Sequence, residues 1–151
     1  MFRKDKTDLE VLLVQPGGPY FQRKDDGAWT IPKGEAGEGE DLLARAIIEF
    51  EEEVGIRPEG KWIELGHVKQ KGGKTVHAWA FEGDLKPDFK LLSNTFEMEW
   101  PPRSGRMQQF SEVDRAGFFA LAEARRKINV AQRLFLDRLL EALGSRKSGE
   151  S

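Results

Sequence analysis

One stretch constrains this chain more than any other: GEAGEGEDLLARAIIEFEEEVGI, residues 34 to 56. Read at about 100° per residue, positions 40 to 54 form a helix. Leu43, Ala46, Ile47, Phe50 and Val54 gather on its core side. Glu49, Glu52 and Glu53 fall at i, i+3 and i+4, so their carboxylates are neighbours on a second face. Like charges at that spacing oppose the helix by about a few tenths of a kcal/mol per pair. They also lie near the C-terminal end, where the macrodipole disfavours anions. A cation between them would offset both costs, and a hard divalent ion such as magnesium takes oxygen ligands from carboxylates and phosphates. A glutamate cluster alone is also what a solvated surface helix looks like, so the spacing of its surroundings has to decide.

The remaining chain reads as one mixed α/β domain. Leu9–Val14 is a buried strand ended by the turn Gln15-Pro16-Gly17-Gly18-Pro19. Ala28–Ile31 is a short strand stopped by Pro32, and Gly55 with Pro58 stops the glutamate helix. Trp62–Val68 and Thr75–Phe81 form a hairpin across Gly72-Gly73, and Thr95–Trp100 is a further strand. Arg103–Gln109 reads as a loop, Leu121–Lys127 and Val130–Leu143 as helices, and 144–151 as a frayed polar tail. The resulting expectation is a single domain over residues 1–143, with a mixed sheet covered by helices on both faces.

Composition excludes several classes. The 151 residues are 38% hydrophobic and 33% charged, a balance that argues for a packed domain and against disorder. No run approaches the roughly 18 apolar residues of a membrane span. The opening MFRKDKTDLE lacks the apolar core of a secretory signal, and the absence of cysteine fits a reducing cytoplasm. With 24 basic against 26 acidic residues, the chain lacks the positive excess of a nucleic-acid coat.

Gly34, Glu40, Glu49, Glu52, Glu53, Gly55 and Ile56 match the Nudix box, G-x5-E-x7-R-E-U-x-E-E-x-G-U, in register over its whole length, with Ile48 in the arginine slot. Trp29-Thr30-Ile31-Pro32-Lys33-Gly34 resembles the W-x-x-P-K-G segment that precedes the box. Phe110–Phe119 resembles the late segment in which a glutamate precedes an apolar strand. The chain is thereby similar to small bacterial nucleotide pyrophosphohydrolases of the Nudix (MutT-like) family.

The resemblance implies the Nudix fold, an α/β/α sandwich with a mixed sheet between helices. It also implies hydrolysis of a nucleoside diphosphate linked to another group, by water attack on phosphorus with magnesium or manganese. A nucleoside triphosphate or dinucleoside polyphosphate ranks ahead of a sugar nucleotide. By carry-over, Glu52 and Glu53 are metal ligands, and Glu49 is a third ligand or the general base. The Lys33 carbonyl is a further ligand and Gly34 lets the loop approach closely, while Glu40 either supports the site or, equally, is helix N-terminal charge. Glu112 aligns with a late glutamate used for metal or base, with a plain surface residue the competing reading. Lys33, Arg103 and Arg106 are candidates for binding substrate phosphates, the arginines reading equally well as solvated loop charge.

Trp29 and Trp79 are candidates for base stacking or core, and His67 and His77 read as ordinary strand histidines. Ile48 cannot form the ion pair its slot normally supplies, but Arg45 lies one turn before Glu49 and is expected to substitute in part. Loss of the arginine leaves a second reading open, a catalytically weakened domain that binds a nucleotide or a partner. The family's opening apolar strand is nearly absent here. An alternative start or a trimmed edge of the sheet would each expose backbone groups, which a homodimer partner is one way to cover.

Overall fold

The computed structural model describes residues 1–4, 8–20, 24–32, 41–70, 72–85 and 95–150, with side chains described to residue 144. Strands β1 (Phe2–Lys4), β2 (Leu9–Pro16) and β7 (Val113–Ala120) form one antiparallel sheet in the order β1-β2-β7. β3 (Ile63–Lys69) and β4 (Thr75–Ala80) form a hairpin, and β5 (Thr95–Glu99) and β6 (Met107–Ser111) form another. The helices are α1 (Leu42–Val54), α2 (Leu121–Lys127) and α3 (Arg133–Glu150), the last preceded by a 3-10 turn at Val130–Gln132. Among the described residues no helix is long and apolar enough to cross a membrane.

β2 organises the sandwich because it buries both faces. Val11 and Leu13 pack with Leu65, Val68, Ala78 and the α3 residues Phe135, Leu136 and Leu139. Leu12 points the other way and packs with Phe50 and Val54 of α1 and with Phe81. Alternation along one strand therefore places α1 and α3 on opposite sides of the sheet. A parallel bridge from Phe2 of β1 to Glu82, just past β4, and another from Trp29 to Ile128 at the end of α2 add parallel pairing to the antiparallel ladders.

Four segments differ from the sequence reading. The opening strand is present as β1, short and polar enough to carry no apolar period. Phe81 O accepts from Phe2 N–H at 3.0 Å, and Gly83 N–H donates to Phe2 O at 2.9 Å, so backbone of the same chain covers part of the β1 edge. Ala28–Ile31 makes only isolated bridges, Thr30 with Val14 and Trp29 with Ile128. The segment read as a loop through Gln109 becomes β6 from Met107, because Phe110 pairs across to Phe96 and Gln108 to Met98. Helical backbone in α3 continues past Gly144, where the tail was expected.

Candidate active site

α1 starts at Leu42, two positions after the start expected at residue 40. Asp41 caps it, its Oδ1 accepting from Leu43 N–H at 2.9 Å and Ala44 N–H at 3.1 Å. Gly55 ends it at φ 78°, and its N–H donates to Glu51 O at 2.8 Å. Between these caps Phe50 and Val54 anchor the core face.

The three glutamates emerge in graded environments. Glu52 is exposed, Glu49 is half-buried, and Glu53 is 7% exposed at the edge of the core. A carboxylate buried that far is costly unless positive charge or donors compensate it. Arg45 donates from Nη2 to Glu49 Oε1, one turn apart on α1. Ile48 is 45% exposed, so the arginine slot faces solvent and makes no core contact of consequence. Glu49 thus has an arginine partner one turn earlier on α1, although the slot beside it holds an isoleucine.

Among the described residues no three acidic or imidazole side chains converge as a finished metal site. Lys33, Gly34 and Glu40 lie outside those residues. The donor chemistry nevertheless suits a hard divalent cation: three carboxylates share one helix face, the deepest of them buried. Glu49, Glu52 and Glu53 are the residues that would hold it. Glu112 stands exposed between β6 and β7, and its carbonyl accepts from Gly17 N–H at 2.9 Å. Arg103 and Arg106 are exposed in the β5–β6 turn.

The path into the glycine loop is held by residues that the sequence reading passed over. Gln132 is 0% exposed; its Oε1 accepts from Ile31 N–H at 3.0 Å and its Nε2 donates to Gln70 Oε1 at 2.7 Å. Lys127, 8% exposed, donates to Asp25 Oδ2 at 2.6 Å, while Trp29 Nε1 donates to Asp25 Oδ1 at 2.8 Å. Both contacts hold the Asp25 carboxyl below its ordinary range, the lysine more strongly. Trp29 is thus core, edge-on to Phe119 at 5.0 Å. No local pattern could have found the Gln132 and Lys127 contacts, since 62, 101 and 102 positions separate their partners.

Trp79 is half-buried on β4, where His77 stacks beside it and faces His67 at 5.3 Å between ring centroids. Trp79 and His77 also line a cleft with Ile31, Pro32, Ala46 and Phe50 whose volume is about 80 Å³. That is well below the roughly 300–1,000 Å³ of a typical ligand pocket. The cleft connects the entry to the glycine loop with α1, without itself accommodating a nucleotide.

The NUDIX domain family matches residues 1–139. The asymmetrical bis(5'-nucleosyl)-tetraphosphatase of Rattus norvegicus is 38% identical over 118 residues, covering 72% of this chain and 76% of that protein. A crystal structure of a C. elegans Ap4A hydrolase in a binary complex superimposes with a TM-score of 0.66 at 23% identity, covering 95% of this chain and 94% of that one. The NUDIX domain of Shewanella oneidensis NrtR, solved with ADP ribose, gives a TM-score of 0.61 at 18% identity over 94% and 82% of the two chains. These last two likenesses concern the fold. The chain belongs to the Nudix family and is a Nudix hydrolase, an enzyme of phosphoanhydride bonds.

Proposed function

We propose that this chain is a divalent-metal-dependent hydrolase of a dinucleoside polyphosphate or a nucleoside triphosphate, acting in a reducing cytoplasm. The observation that carries the reading is the graded carboxylate stripe on α1, with Glu49 held by Arg45. The likeness to a dinucleoside tetraphosphatase over most of both chains supports the substrate class.

A magnesium or manganese ion, when bound, neutralises phosphate charge and lowers the pKa of a coordinated water. The chain's own residues do the rest. Glu52 and Glu53, consecutive on the last turn of α1, would supply carboxylate oxygens, Glu53 from the buried side. Glu49 accepts a proton from the attacking water or serves as a third ligand, and Arg45 fixes its Oε1 so that it keeps one orientation. Lys33 offers its carbonyl to the ion and its ammonium to phosphate, Gly34 permits close approach, and Glu40 supports the loop. Glu112 serves as an additional ligand or base. Arg103 and Arg106 bind phosphates at a distance from α1.

The test is hydrolysis of a nucleotide panel with magnesium or manganese: triphosphates, dinucleoside polyphosphates, ADP-ribose and sugar nucleotides. Turnover of one class that disappears in Glu52→Gln and Glu53→Gln establishes the enzyme and its substrate together. Nucleotide binding without any turnover would instead support a weakened binding domain and point to Ile48 as the cause.

A further inference from the structure

The β5–β6 hairpin has two unlike faces. Register places Phe96 opposite Phe110 and Met98 opposite Gln108, so these share a face, and Trp100 continues it one step beyond Met98. Phe96, Met98, Trp100 and Phe110 are all half-buried. The opposite face carries Glu97 and Glu99, both exposed. A two-stranded hairpin is marginally stable alone, and one with an apolar face calls for something to lie against it.

Part of that cover comes from the loop after β2. Gly17 is pressed against the hairpin base, since a Cβ there would stand 1.8 Å from Ser111 O. Gly18 lies over the Phe96 ring, and Tyr20 meets Trp100 edge-on at 5.2 Å. Tyr20 remains 54% exposed, so the two rings form an open aromatic corner and not a closed core.

At the same end, the turn from Trp100 to Arg106 is tightly ordered. Trp100 N–H donates to Arg106 O at 2.9 Å, Ser104 N–H to Pro101 O at 3.1 Å, and Gln108 Nε2 to Trp100 O at 2.9 Å. Arg103 sits in this turn at φ 62°, the one non-glycine residue at positive φ among the described residues. A left-handed arginine costs energy that glycine would avoid, so its side chain is the reason to ask what it does. Among the described residues neither Arg103 nor Arg106 pairs with a carboxylate.

We infer that the hairpin end binds a phosphorylated nucleoside, with its base against Tyr20 and Trp100 and its phosphates at Arg103 and Arg106. An aromatic surface takes the face of any base. Guanidinium groups on an ordered turn suit phosphate oxygens. The acidic opposite face repels phosphate, which restricts the ligand to the aromatic side. The hairpin runs directly into Glu112, and about five strand residues, roughly 17 Å, separate that residue from the turn. Building on the hydrolase reading above, the site holds the second nucleoside of a dinucleoside polyphosphate, which a nucleoside triphosphate lacks.

Calorimetry on the full chain with divalent metal chelated tests this with AMP and adenosine as probes, beside kcat and KM for diadenosine tetraphosphate and ATP. Arg103→Gly keeps the backbone conformation and removes the guanidinium. It should weaken AMP about tenfold, leave adenosine unchanged, and raise or preserve the melting temperature. Trp100→Leu should weaken both probes about tenfold, with recovery in Trp100→Phe. In both variants KM for diadenosine tetraphosphate should rise by more than KM for ATP, while kcat for diadenosine tetraphosphate stays within about twofold. Unchanged AMP affinity in both variants, or no AMP binding by the parent chain, would overturn the inference. Metal-free AMP binding lost in these variants would support it even if no substrate were hydrolysed, which separates its fate from that of the hydrolase reading.

Discussion

α1 and the β5–β6 hairpin each set charged side chains near one another, and they do it by different means. On α1 the carboxylates are neighbours because the helix repeat makes them so. Glu49, Glu52 and Glu53 would lie together on any helix with that spacing, and Arg45 reaches Glu49 within one turn. At the hairpin, Tyr20 and Trp100 meet across 80 positions, and Arg103 and Arg106 sit in a turn closed with backbone hydrogen bonds. The helix carries its chemistry in local geometry, whereas the hairpin has none until the chain has folded. A chemical group on a helix is therefore exposed to loss of charge, and one on a hairpin to loss of packing.

The largest expected effect falls on the helix. Glu52→Gln and Glu53→Gln should each lower kcat by about a hundredfold or more, with the circular dichroism spectrum unchanged. Activity within a few-fold of the parent would mean that the stripe is only a solvated face. Arg45→Ala comes next, with about a tenfold loss in metal affinity or kcat, as for partners that orient a ligand. Ile48→Arg in that background should restore part of it, and an Arg45→Ala enzyme indistinguishable from the parent would remove Arg45 from the site.

The hairpin substitutions should then act on KM and AMP affinity by about tenfold while sparing kcat, the converse of the α1 pattern. Gln132→Leu tests a buried contact outside both regions, at the Ile31 backbone. It strands the Ile31 N–H and the Gln70 side chain, which should cost about 1–3 kcal/mol. In a chain of this size each kcal/mol lowers the melting temperature by roughly 2–4 °C. A thermal scan showing no shift would mean that neither group depends on Gln132.

The smallest effect concerns Asp25. Its carboxyl is held below the ordinary 3.8 by the Lys127 ammonium and, less strongly, by the Trp29 indole N–H. A depressed carboxylate contributes stability that is fully present above that ordinary value and fades as pH falls through its folded pKa. The stability difference between the parent and Asp25→Asn should therefore be level near neutrality and shrink below about pH 4. A difference independent of pH would show that the loop is held by packing around Trp29 alone.

The sequence could be read correctly wherever one element sufficed to state the answer. Periodicity placed α1, β2, β3, β4, β5 and α2, since burial on one face repeats at the spacing of the element itself. The box spacing, also local, led to the family and to the carboxylate stripe. It failed at β1 and β6, whose polar strands show no apolar alternation and exist because a neighbour supplies backbone partners. It could not tell Glu53 from Glu52, although one ends at the edge of the core and the other in solvent.

What the amino-acid order alone determined, then, is the family: a helix crowded with carboxylates at the box spacing, preceded in sequence by a glycine-rich segment. Tertiary structure decided how buried each carboxylate is, which glutamine and lysine hold the approach to the loop, and that two aromatic rings and two arginines share one end of a hairpin. The division has a physical cause. Covalent geometry sets distances within a turn of helix or a few residues of strand, but contacts across 80 or 100 positions form only when core packing offsets the entropy of closing the chain between them.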